Sequence, residues 1–169
     1  MNSNKKLKIT NAWTCQIKGQ KIVPVFGDIL ISEGRISEIR KKNLKQFVSQ
    51  TRKNFDGGID AGGRVVTVPM INFHDHFYSR LAKGLPIKGP MKNFKMILKN
   101  LWWKLDFALD KEMIQASAQM AALESIRNGV TYIFDHHSSP NSTKGSLNII
   151  ANELNDFGLR GALCFETTD

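Results

Sequence analysis

Cysteine is scarce. Cys15 and Cys164 are the two cysteines in 169 residues, too few and too far apart for a disulfide framework or a Cys-x-x-Cys zinc site, which fits a reducing compartment. No apolar run approaches the roughly 18 residues that a membrane-spanning helix needs. The lysine-containing start, with Lys5, Lys6 and Lys8, lacks the apolar stretch of a secretory signal. Together these absences predict a cytoplasmic protein with no membrane partner. A nucleic-acid-binding signature is also missing, and no aromatic stripe interleaves the lysines.

Present instead is an ordinary globular composition, 41% apolar and 23% charged, enough to bury one core of normal size. The net charge of +9 is unevenly spread: residues 1–60 hold 12 Lys/Arg against 5 Asp/Glu, and residues 61–169 hold 12 against 10. Clusters such as Lys5-Lys6-x-Lys8 and Arg40-Lys41-Lys42-x-x-Lys45 could meet phosphates non-specifically. Without a recognition motif beside them they read as solvated faces, and nucleic acid is not the expected partner.

The first 40 residues read as strands. Leu7 to Trp13 alternates, and Gly27 to Ile39 gives two alternating runs around a Glu33-Gly34 turn, predicting a hairpin. Lys41 to Asp56 is polar, a loop or short edge element. Gly62-Gly63 then turns the chain into its most informative stretch, Val66-Thr67-Val68-Pro69-Met70-Ile71-Asn72-Phe73-His74-Asp75-His76-Phe77. In a strand, residues i and i+2 share a side, so His74 and His76 are expected to project together from the carboxyl end and to be able to converge on one metal ion. The bland alternative is a strand end with two solvated histidines.

The Ile59-Asp60-Ala61-Gly62-Gly63-Arg64-Val65-Val66 lead-in and Pro69-x-Ile71-Asn72-x-His74-x-His76 together resemble the barrel entry of the amidohydrolase superfamily. The likeness continues through Phe77 to Leu85, Lys99 to Asp106 and Asn128-Gly129-Val130-Thr131-Tyr132-Ile133-Phe134-Asp135-His136-His137, and is similar to the SsnA-type aminohydrolases and their chlorohydrolase and deaminase relatives. Two departures stand out. Met70 replaces the usual glycine, placing bulk where the backbone is normally unencumbered, and Asp75 replaces a small residue. The resemblance implies that His74 and His76 bind a divalent metal, zinc or iron, in an enzyme that hydrolyses a carbon-nitrogen bond of a small-molecule nitrogen heterocycle, or removes chloride from a similar carbon. It also implies a fold: part of a small β-sandwich over residues 1–65, then an α/β, TIM-type (β/α) barrel over 66–169.

After His76 a long connection is expected from Phe77 to Met91, then a helix from Asn93 to Leu105 with Trp102 and Trp103 in its packing face or in a platform for a flat substrate. A second helix is better marked. Asp110 suits its N-cap, Met113, Ala116, Met120, Leu123 and Ile126 form a stripe whose methionines read as core filler, and Gly129 suits the position after its end. Val130 to Phe134 reads as a buried parallel strand ending in Asp135-His136-His137. Consecutive strand residues face opposite ways, so at most one of His136 and His137 is expected at the barrel mouth, as a substrate contact or a support for the first histidines. Asp135 could orient an imidazole. A loop-start cluster without catalytic part is the alternative for all three. Leu147, Ile150, Leu154 and Phe157 predict another helix, closed by Gly158, and Leu159 to Phe165 a third strand, with Glu166 and Asp169 near its end.

Strand, helices, strand, helix, strand argues for βαβ units and a parallel sheet. About 104 residues follow Val65, whereas a closed eight-stranded barrel takes roughly 250. The expectation is therefore an incomplete barrel of three strands, an N-terminal portion of a larger enzyme or the product of a truncated or split gene, inactive alone, with its acid/base residues elsewhere. Two other classes stay open: an enzyme completed by a complementary chain or a homo-oligomer, and a basic binding module on a truncated scaffold.

Overall fold

The computed structural model describes residues 6–46, 53–55 and 57–167. Lys5, Asp169 and part of the polar 41–56 stretch lie outside these. The chain divides into two compact units after Val68.

In the first unit, β1 (Leu7–Lys18), β2 (Lys21–Ser32), β3 (Arg35–Lys41), β4 (Lys53–Phe55) and β5 (Gly58–Asp60) form a sheet in the order β3-β2-β1-β5-β4. The hairpin around Glu33-Gly34 is formed as expected, and a second joins β1 to β2 through Gly19-Gln20. Ala12, Ile29 and Ala61 are buried at its centre, with Ile9, Ile31 and Val66 packed on them. The β1–β2 register breaks between Ile9 and Ala12, where Asn11 takes the left-handed conformation, φ 52°. Asparagine tolerates that conformation, and here its backbone N–H donates to Asp28 while its side-chain amide donates to Asp60.

The second unit is a parallel sheet in the order β6-β7-β8, from β6 (Met70–Asp75), β7 (Val130–His137) and β8 (Arg160–Phe165). The alternation expected from the sequence is therefore present, although β6 begins at Met70 and not at Val66. Gly161 permits the close β7–β8 approach, since a Cβ there would come within 2.8 Å of the Ile133 carbonyl oxygen. Between the strands run a 3-10 helix (Phe77–Ala82), a helical segment made of α1 (Phe94–Ile97), a π turn (Leu98–Trp102) and α2 (Trp103–Ala108), then α3 (Lys111–Arg127) and α4 (Ser146–Asp156). The 3-10 helix lies inside the stretch expected to be an irregular connection. Asn93 caps α1 and Asp110 caps α3, each side chain accepting a hydrogen bond from the backbone N–H three residues on. Gly129 supplies the positive φ, 72°, that ends α3.

The face that α3 buries differs from the expected stripe. Ile114, Ser117, Ala118, Ala121, Ala122 and Ser125 point inward, whereas Met113, Met120, Leu123 and Ile126 are between 41% and 49% exposed. The inward set follows i, i+3, i+4, i+7, i+8, i+11, a full helical face that after Ile114 consists of Ala and Ser and lets α3 sit close to its neighbours. It packs on the 3-10 helix, α4 and β7. Ser117 makes that closeness productive, donating to the Phe77 carbonyl at 2.6 Å and accepting from the Arg80 N–H at 2.9 Å.

The two stripes make opposite forecasts for substitution. Ala118→Leu, at a fully buried position, should destabilise the chain by about 1–3 kcal/mol through overpacking. Met120→Ala, 41% exposed, should change stability by about 0.5 kcal/mol or less. Urea unfolding of the two variants checks this, and a larger loss for Met120→Ala would restore the methionine face as core.

Candidate functional site

β6 ends where the chemistry gathers. His74 is at its exposed end, and His76 follows it, with ring centroids 4.7 Å apart at 84° and the two Nε2 atoms 2.9 Å from each other. His76 Nδ1 lies 2.8 Å from the His136 carbonyl oxygen. A carbonyl only accepts, so Nδ1 carries the proton, and in that tautomer of the imidazole it is Nε2 that offers a lone pair on the side of His74. This convergence required neither a long strand nor a straight one: the β6–β7 register shifts between Asn72 and Asp75.

Asp75, unexpected at its position, braces the turn. Its carboxylate takes both oxygens to Arg80 Nη2 at 2.5 Å, accepts from Asn72 Nδ2 at 2.7 Å and from the His76 N–H at 2.8 Å, and is 5% exposed. Met70, the other departure, is 58% exposed, and its N–H pairs with the Gly129 carbonyl. Its bulk is thus accommodated outward.

At the end of β7 the three candidates separate. His136 lines a cavity of about 470 Å³ together with His76, Tyr78 and Trp102, its ring 5.5 Å from that of His76. His137 faces the other way and is fully buried, its Nε2 2.8 Å from Ser139 Oγ and its ring against Tyr78 and Phe165. Burial, and then the neighbouring His136, lower its pKa to about 4, so it is neutral at physiological pH. Among the described residues Asp135 shares no hydrogen bond with an imidazole. Its Oδ1 accepts the Phe77 N–H at 2.7 Å, fixing the chain directly after His76. Glu166 lines the same cavity as His76, and Asp169 lies outside the described residues.

Sequence reasoning missed Tyr78 and Asp106. Burial, and next the charge of Asp106, hold the Tyr78 hydroxyl protonated well above its ordinary range. Burial also raises Asp106 to about 6, with Glu166 adding repulsion and hydrogen bonds from Ser138 and Tyr78 opposing it. Asp106 sits one turn beyond Trp102 on a helix whose polar positions otherwise read as solvent-facing, so only its spacing from the tryptophan hinted at a site. The π turn carries Trp102 to within 6.1 Å of the His76 ring and leaves Trp103 42% exposed.

Among the described residues no group of three His, Cys, Asp or Glu comes together as a metal cage. The His74 and His76 pair is nonetheless a fitting half of one: two imidazole nitrogens, one with its lone pair fixed by the partner of the other ring nitrogen. No helix among the described residues is long and apolar enough to cross a membrane.

No protein-family model matches the chain. A 5-methylthioadenosine/S-adenosylhomocysteine deaminase from Thermococcus kodakarensis is 31% identical over 153 residues, 90% of this chain and 32% of the relative. A 5'-deoxyadenosine deaminase from Methanococcus aeolicus is 28% identical over 108 residues, 64% of this chain and 24% of the relative. Of solved structures, a guanine deaminase from C. acetobutylicum with bound guanine matches with a TM-score of 0.71 at 15% identity, covering 94% of this chain and 35% of that one. A mutant of the atrazine chlorohydrolase TrzN from Arthrobacter aurescens, complexed with zinc and atraton, matches with a TM-score of 0.67 at 20% identity over the same shares. The chain spans about a third of the length of the relatives it matches.

Burial is also the main reason that the Asp135 carboxyl is raised to about 7; the Phe77 N–H opposes it, Asp75 adds repulsion and Arg80 attraction. An unfolded aspartate titrates near 3.9, so between pH about 4 and 7 the folded chain keeps a proton that the unfolded chain has lost. This group's contribution to stability therefore declines as pH rises through that window and is level above it. Asp135→Asn, which keeps an acceptor for Phe77, should remove the decline and gain on wild type toward pH 7 in urea unfolding measured across pH. A constant wild-type-minus-variant difference would refute the assignment.

Proposed function

We propose, for a chain that belongs to the amidohydrolase superfamily and matches part of its members' length, that it forms part of a metal-dependent hydrolase that deaminates a purine- or pyrimidine-like heterocycle, chlorohydrolase chemistry being the related alternative. Residues 1–65 are then part of a β-sandwich, and 66–169 the first three strands of a (β/α) barrel. The observation that carries this reading is the 2.9 Å approach of the two Nε2 atoms of His74 and His76 at a parallel strand's carboxyl end, the end at which such barrels keep their chemistry. The names of the relatives support the substrate class, as deaminases of adenosine-type compounds.

His74 and His76 would hold a divalent ion, zinc or iron. Such an ion, when bound, polarises its ligands and brings the pKa of a coordinated water toward neutrality. The chain's own residues do the positioning. The His136 carbonyl holds the His76 tautomer, and the His136 ring is placed to touch substrate in the cavity. Asp75 with Arg80, and Asp135 with the Phe77 N–H, fix the backbone on either side of His76. Tyr78, kept protonated, can donate but does not act as a base. Two protein nitrogens are fewer than the three protein ligands of a catalytic zinc, so the reading requires further ligands and an acid/base from polypeptide outside these three strands, in the same chain or a complementary one.

Cobalt titration followed by absorbance tests the pair without depending on turnover. The chain should take up the metal weakly, His74→Ala and His76→Ala should each abolish uptake, and His137→Ala should leave it in place. Uptake by either of the first two variants equal to that of the unsubstituted chain would sink the reading. No ammonia release from adenosine-type compounds is expected of the 169-residue chain by itself.

A further inference from the structure

The cavity beside His76 does not end at the histidines. It adjoins a second lobe of about 560 Å³ that reaches Phe107, Ser138 and Pro140 and touches neither His76 nor His136. Phe94, Leu98, Trp103, Asp106 and Glu166 line both lobes. Each lobe has the size of a small-molecule site.

The chemistry of the shared wall is unusual for this chain. Asp106 is 5% exposed, its Oδ1 has no hydrogen-bond partner among the described residues, and the hydroxyls of Tyr78 and Ser138 donate to its carboxylate. No lysine or arginine among the described residues forms an ion pair with Asp106 or Glu166, although the chain carries a net charge of +9 and pairs Asp28, Asp75 and Glu124 with cations. Two carboxylates left without a cation, next to the indole of Trp103 and the ring of Phe94, make a wall that attracts organic cations and N–H donors and disfavours anions. A buried acceptor lacking its partner is costly unless something supplies the donor.

We infer that the second lobe holds the cationic or N–H-rich end of an elongated substrate, an organic ammonium or amidinium, whose reacting ring lies beside His76 and His136. The assignment of the reacting end rests on the hydrolase reading above; the cation preference does not. Asp106 and Glu166 thereby decide specificity and take no part in bond breaking.

Calorimetry with benzamidinium and its neutral near-isostere benzamide separates the two. Benzamidinium should bind about tenfold or more tightly than benzamide, and Asp106→Asn or Glu166→Gln should each remove most of that preference. His76→Ala should leave benzamidinium binding within about twofold while abolishing cobalt uptake, so that failure of the metal reading and failure of this one give different results. Glu166 is the safer variant because it lies at a strand end and is only partly buried. Equal binding of the two probes, no binding of benzamidinium, or a preference that survives Glu166→Gln in a folded protein would overturn the inference.

Discussion

One hydrogen bond sets the terms for the second unit: His76 Nδ1 to the His136 carbonyl, 2.8 Å, from the end of one parallel strand to its neighbour. It spends one nitrogen of the imidazole on backbone, leaves the other as a lone pair, and ties the residue after β6 to β7. Everything around it protects that geometry. Asp135 holds the next N–H, Asp75 grips Arg80, and Ser117 on α3 ties the same 3-10 helix to the core from the other side. The two aspartates hold the backbone N–H groups of His76 and Phe77.

Much of this was legible in the sequence, because strands, caps and the His-x-His spacing are local signals. The three parallel strands, the Asp110 cap and the Gly129 terminator depend on residues within a few positions of one another. What escaped depends on contacts far along the chain. On α3 the eye follows the largest apolar side chains, but the buried face is the one whose small Ala and Ser residues allow close approach, a property of the neighbours as much as of the helix. Asp106 and Tyr78 were invisible for the same reason: a carboxylate and a phenol 28 positions apart in sequence acquire meaning only when burial brings them together. That only one of two adjacent histidines would reach the cavity followed from strand geometry, and which one did not.

The basic first third also changes meaning once folded. Lys8 and Lys42 lie 3.0 Å and 2.7 Å from the buried Asp28 carboxylate, which also accepts the Asn11 N–H. Burial by itself would raise that carboxyl, and the contacts with Lys42, Asn11 and Lys8 outweigh it and hold it below the ordinary range. Arg40 pairs with Glu38. Part of the positive excess is therefore internal bracing of a bulged sheet, and so much the less is available as a surface for phosphates.

The π turn between α1 and α2 works as a phase shifter. Each residue of a helix advances about 100° around its axis, so one residue more or less within Leu98–Trp102 would turn everything after it by that amount. With two tryptophans in succession, such a slip would exchange which indole meets His76 and swing Asp106 away from Tyr78 without altering a single side chain's identity. The aromatic wall is thus encoded in winding number, and a lineage could retune it by insertion or deletion where point substitution would leave it unmoved.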